Sequence, residues 1–226
     1  MNTWWSAPTT IISASTHPST ATRSTTARTT TDRAPPLLGI AEAFAAARRP
    51  KRSVLLVWHA AEEMRDAGSR YFVAHPTVPL SQIVADLNID MIGRTRTATT
   101  DTTKWTVVRP GEVYVMGATR SSKDLGDIAD AVNRSYLRLS FNYRFDTPND
   151  PQHLFERSDQ YSYAEKGIPA LFYYTGDHED YHQPSDSIEK IDFQNMEKIA
   201  RTVFATAFEL ANRSQRPRVN PPHGGS

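Results

Sequence analysis

Ser53-Val54-Leu55-Leu56-Val57-Trp58-His59-Ala60-Ala61-Glu62-Glu63 is the stretch on which the fold turns. Its first six residues form a short, continuous apolar run, as a strand buried on both faces does. Two adjacent acids follow within a few residues. In an α/β sheet the functional crevice lies beyond the carboxyl ends of the strands, where Glu62 and Glu63 would then fall. A helix N-terminus also favours such a pair, because carboxylates offset the helix dipole, so the pair alone decides nothing.

Outward from this stretch, helix and strand patterns alternate. On the N-terminal side Leu37, Leu38, Ile40, Ala41, Phe44 and Ala45 recur at helical spacing until Arg48-Arg49-Pro50 stops them. On the C-terminal side a helix is expected near 68–74 and strands over 83–92 and 112–117. A helix follows over 125–136, then a buried strand over 168–174. A long amphipathic helix spans 193–212, with Met196, Ile199, Ala200, Val203, Phe204, Ala207 and Leu210 on its apolar side. This alternation predicts α/β layers around a mainly parallel sheet. There is no internal repeat.

Residues 6–36 read SAPTTIISASTHPSTATRSTTARTTTDRAPP. They are rich in Ser, Thr, Ala, Pro and Arg, with no aromatic residue. Such a composition buries too little apolar surface to fold, so residues 1–36 are expected to be low-complexity and disordered. The organisation expected is therefore that segment, a domain over 37–212 and a polar, Pro-rich tail over 213–226.

Bulk properties narrow the chemistry. A chain of 226 residues suits one domain with a substantial core. A formal net charge of +1 argues against a nucleic-acid surface. Cysteine is absent, which excludes disulfides and thiolate-held zinc, so any metal must be held by His, Asp and Glu. No apolar run approaches membrane-spanning length. Met1-Asn2-Thr3-Trp4-Trp5 lacks the basic-then-apolar order of a signal peptide.

Two further residues stand out. Asp90 interrupts the apolar run Ile83, Val84, Ala85, Leu87, Ile89, Met91 and Ile92. A carboxylate at the end of a buried strand needs a partner, which a metal or backbone amides can supply. His182 closes the loop Gly176-Asp177-His178-Glu179-Asp180-Tyr181-His182, whose acids and second histidine favour metal binding. His178, the one other histidine close to a candidate ligand, is read as a supporting group. His17, His59, His75, His153 and His223 are read as structural or solvated.

The order of the motifs is more specific than any of them singly. Ala61-Glu62-Glu63, Asn88-Ile89-Asp90-Met91 and Tyr181-His182-Gln183-Pro184-Ser185-Asp186, each after a strand, resemble the co-catalytic zinc exopeptidases of metallopeptidase family twenty-eight. That family includes bacterial aminopeptidases and the plasma glutamate carboxypeptidases. The resemblance runs from Leu37 to Leu210 and takes in Arg157-Ser158-Asp159 and Lys166-Gly167-Ile168-Pro169-Ala170. It implies a three-layer α/β/α sandwich, two zinc ions, a peptide substrate and hydrolysis of a terminal peptide bond, N-terminal rather than C-terminal. Carried over by position, Glu62 would be the general base. Glu63 and His182 would ligate one zinc and Asp90 the other. The resemblance also implies a secreted or periplasmic protein; oligomeric state stays open.

Two family motifs are absent before Leu37: a His-x-Asp that supplies one ligand, and a segment that supplies the Asp bridging both metals. The N-terminal strand of the sheet is accordingly expected to be missing. Read in a shifted frame, each codon's third base joined to the next two, Trp4-Trp5 forces Val. Residues 7–14 then permit A-H-Y-D-H-L-G, and residues 23–36 permit I-Y-N-G-A-D-D-N-G-S-G-T-A. These are the missing motifs in the right order, so the segment reads as an out-of-frame translation of the family's own metal-binding segment. The chain as written is then expected to bind zinc weakly and to hydrolyse little. The rival readings are a non-catalytic binding protein on the same fold and a single-zinc cyclase or amidase.

Overall fold

The computed structural model describes residues 8–16 and 34–221. In chain order its principal elements are β1 (Thr9–Thr16), α1 (Ala34–Ala46), β2 (Ser53–Ala60), α2 (Ala67–Ala74), β3 (Ile83–Ile89), β4 (Glu112–Met116), α3 (Lys123–Ser135), β5 (Ser140–Asn142), α4 (Gln160–Ala164), β6 (Ala170–Tyr174) and α5 (Phe193–Asn212). The six strands form one sheet in the order β2-β1-β3-β6-β4-β5. β2, β1, β3 and β6 run parallel, β4 is antiparallel to β6, and β5 is parallel to β4. Helices α1, α3 and α5 pack on one face of the sheet and α2 and α4 on the other, giving the expected three-layer sandwich.

Two expectations are corrected. The run Ser53–Trp58, expected to be a strand buried on both faces, is the edge strand β2 and is mostly half-exposed, because only β1 flanks it. The sequence reading places no strand before Leu37, yet Thr9–Thr16 forms β1 inside the sheet, between β2 and β3. Thr10 lies opposite Val54 of β2 and Ala85 of β3. The reason is local. Averaged composition over 6–36 hides the β-branched run Thr9-Thr10-Ile11-Ile12, whose side chains suit a pleated, buried surface. Ile11 joins the cluster on the α2 side and Ile12 the cluster on the α5 side, both fully buried. Each such burial contributes about 1.5–3 kcal/mol. The expectation of disorder over the rest of 1–36, His17 included, falls on residues outside those described, apart from Pro8, Ala34, Pro35 and Pro36; the last three open α1.

The main core explains why the other elements form. Leu87 and Ile89 of β3, Leu171 and Tyr173 of β6, and Ile199 and Val203 of α5 meet there, all fully buried. Of the periodic residues read from sequence, α5 buries Met196, Ile199, Val203, Ala207 and Leu210, and Ala200 and Phe204 are partly buried against the same core. Two elements left unread, β5 and α4, are three and five residues long, too short for a period to show. The described part of the tail is docked rather than free. Arg218 pairs with Asp124 at 2.9 Å, and Asn220 donates to the carbonyls of Ala118 and Thr119.

The parallel strands aim their carboxyl ends at one edge. Glu62 follows β2 there, Asp90 follows β3, and the loop with His182 follows β6. α2 returns so closely that a Cβ on Gly68 would lie 2.3 Å from the Ala60 carbonyl oxygen. Glycine is therefore required for the turn that carries Glu62 and Glu63.

Candidate metal and catalytic site

Backbone strain marks this edge. Glu62 and Glu63 sit in a single 3-10 turn bracketed by left-handed Ala61 (φ 59°), Arg65 (φ 61°) and Asp66 (φ 54°). Met91, directly after Asp90, has φ 52°, and His182 itself has φ 56°. Left-handed conformations in non-glycine residues are costly and persist where the surroundings over-determine them, often at functional sites.

The side chains meet across these loops. His182 Nε2 lies 2.6 Å from Glu63 Oε1, and both side chains are half-exposed. The ring of Tyr181 stacks on that of His182, with centroids 3.9 Å apart. Burial holds the Tyr181 phenol well above its ordinary pKa, and the charges of Glu63, Asp90, Asp177 and Glu62 push it further. Tyr181 thus sits in the electrostatic field of all three candidate carboxylates. Asp66 feels the same field. Burial raises its carboxyl to about 6, Arg70 opposes this, and Asp90, Glu165 and Glu63 reinforce it.

Asp90 is buried and anchored from behind. Its Oδ2 accepts from Ser158 Oγ at 2.7 Å. Ser158 Oγ in turn accepts from Asn88 Nδ2 at 3.0 Å, and Asn88 also donates to Gln160 Oε1 at 2.7 Å. Ser13 of β1 reaches this network, its hydroxyl 2.7 Å from Asp86 Oδ1 and 3.2 Å from Asn88 Oδ1. Hydrogen-bonded support of this kind fixes the orientation of a ligating carboxylate.

The loop after β6 is pinned by charge. Arg94 donates to Asp186 at 2.6 Å and to Asp180 at 2.9 Å, and Lys190 donates to Asp180 at 2.7 Å. Burial alone would raise the pKa of Asp180. Bonds from Lys190, Ser185 and Arg94 overcome that and hold it well below the usual carboxylate range. His178 is buried nearby, its pKa lowered to about 4 by burial first and by Arg94 next.

Among the described residues, one group of three brings potential metal-binding atoms within 4.8 Å of one another: His178, Asp180 and Asp186. Two cationic side chains already occupy its carboxylates, so it is an incomplete site and a poor one for a cation. Glu63, Asp90 and His182 fit zinc in kind, one imidazole and two carboxylates, but not in number. Zinc sites ordinarily use three or four protein ligands per ion. Among the described residues the ligand set is therefore incomplete for two ions. Of the sequence-predicted residues, Glu63 and His182 are brought into contact, and Glu62 and Asp90 share the field around Tyr181. Sequence reading missed Arg94 and took Asn88 and Tyr181 only as motif members, because their contacts form across the fold.

The comparisons with known proteins agree with this architecture. The family model of Peptidase family M28 matches residues 35–207. No curated protein matches the chain. Among solved structures, the LapA aminopeptidase of Legionella pneumophila superposes with a TM-score of 0.74 at 22% identity, covering 93% of this chain and 54% of that one. BSAP, a zinc aminopeptidase from Bacillus subtilis, gives 0.68 at 19% identity, covering 91% and 47%. A glutaminyl cyclase from Fimbriiglobus ruber gives 0.63 at 16%, covering 90% and 72%. The chain thus spans about half the length of the two aminopeptidases, and at these identities the likeness concerns the fold.

Proposed function

The chain belongs to peptidase family M28, and from that premise we propose that its site is that of a zinc exopeptidase of aminopeptidase type, left short of ligands in this polypeptide. Glu63 and His182 would hold one zinc ion, and Asp90 would hold a second. Zinc, when bound, supplies a Lewis acid that acidifies water and polarises the scissile carbonyl. Glu62 takes the proton from the attacking water and returns it to the leaving amine, the work of a carboxylate general base.

The observation that supports this reading most is the 2.6 Å contact between Glu63 and His182 at the carboxyl edge of the parallel strands. Two residues from separate motifs thereby converge where a metal would need both. No helix among the described residues is long and apolar enough to cross a membrane, and the substrate proposed is a peptide. With ligands short, this polypeptide hydrolyses little.

The test is release of free amino acids from an unblocked peptide with zinc present. The comparison is between this chain, a version with the shifted segment restored, and that version carrying Glu62→Gln. Activity in the restored protein alone, abolished by Glu62→Gln, supports the proposal. Activity in all three sinks it. A restored protein that instead closes the ring of an N-terminal glutamine would favour the single-metal cyclase reading.

A further inference from the structure

Arg94 stands four residues beyond Asp90, and its side chain is only 10% exposed. Its two terminal nitrogens reach different carboxylates, Nη1 to Asp186 Oδ1 at 2.6 Å and Nη2 to Asp180 Oδ2 at 2.9 Å. These aspartates flank His182 in sequence, one before it and one after. One rigid guanidinium therefore spans the base of the turn that presents the imidazole. The start of the same loop is also tied to the segment behind Asp90. The Thr175 amide and hydroxyl both donate to the Met91 carbonyl, at 3.0 and 2.7 Å. Its far end is tied as well, since the Asp192 amide donates to the Gly93 carbonyl at 2.8 Å.

We propose that Arg94 is a positioning residue that fixes the separation of His182 from Asp90 by bolting the two loops that carry them together. The proposal rests on the reading of these two residues as ligands of neighbouring zinc ions. A left-handed His182 needs its neighbours held, and the two aspartates beside it are held by the same group. Charge alone does not suffice for this. A lysine is a point donor and cannot bridge two carboxylates in a fixed plane, whereas arginine's fork can.

The experiment uses the full chain with Arg94→Lys and Arg94→Met. Zinc is titrated while the ring-nitrogen signals of His182 are followed by NMR, assigned with His182→Ala. Amide exchange over 176–187 and the melting temperature are measured alongside. Arg94→Lys is expected to recover most of the melting temperature lost in Arg94→Met, because a positive charge is kept. It should nonetheless bind zinc about ten- to a hundred-fold more weakly than the unsubstituted chain, the usual consequence of losing a supporting contact behind a ligand. Exchange over 176–187 should be faster in both variants. If Arg94→Lys restores zinc affinity together with stability, the role is only structural and the proposal is overturned. If zinc leaves His182 of the unsubstituted chain unmoved, the zinc reading fails. Faster loop exchange in Arg94→Lys then still supports the positioning role, and unchanged exchange overturns it.

Discussion

His182 Nε2 lies 2.6 Å from Glu63 Oε1, although the two residues sit on loops that follow different strands, β6 and β2. Their side chains are 45% and 38% exposed. An exposed pair contributes only about 0.2–1 kcal/mol, so the contact is not there to stabilise the fold. Glu63→Gln is expected to lower the melting temperature by no more than about 2–4 °C while abolishing what zinc binding the chain has. Differential scanning calorimetry and zinc titration on the same sample check both halves. A large loss of stability would make the pair structural.

β1 gives a sharper stability test. Ile12 is fully buried in the main core, on a strand flanked on both sides. Ile12→Ala is expected to cost about 2–5 kcal/mol in urea denaturation. An unchanged midpoint would show that Thr9–Thr16 is not part of the sheet.

Asp66 sets a pH dependence. Its carboxyl is raised from 3.8 to about 6, mainly by burial. The unfolded chain therefore ionises first as pH rises, and the fold loses stability between those two values. The loss is complete above about 6. Asp66→Asn removes it and suits the left-handed backbone there, where φ is 54°. The variant is expected to be about 1–3 kcal/mol more stable at pH 8, with the advantage gone below pH 4. His59 acts in the opposite direction. Burial lowers its pKa from 6.5 to about 4, so stability falls as pH drops through that interval. Denaturation midpoints across pH for both chains test the signs. An advantage that grows on acidification would contradict the Asp66 assignment.

The coding DNA tests the reading of residues 1–36. The third bases over residues 7–14 and 23–36 are expected to spell the His-x-Asp and Asp-rich motifs in the shifted frame. Bases that spell neither remove the frame-shift explanation and leave the missing ligands without a cause.

Much of this molecule was legible in its sequence, and the failures have physical reasons. β2 and β6 are short, continuous apolar runs, and α5 keeps a helical period over twenty residues, so each stands out. β1 was hidden because its eight residues lie in a Ser/Thr-rich stretch whose average is polar. The candidate acids and His182 could be read from their motifs. The groups that support them could not, since Ser158 meets Asp90, and Arg94 meets Asp180 and Asp186, only after the chain has folded.

Isothermal titration of the metal-free chain with zinc decides whether this polypeptide holds a full two-metal site. Weak binding that falls short of two ions per chain, and that is lost on His182→Ala, is expected. Two tightly bound zinc ions per chain would contradict it, because the polypeptide would then hold a complete site.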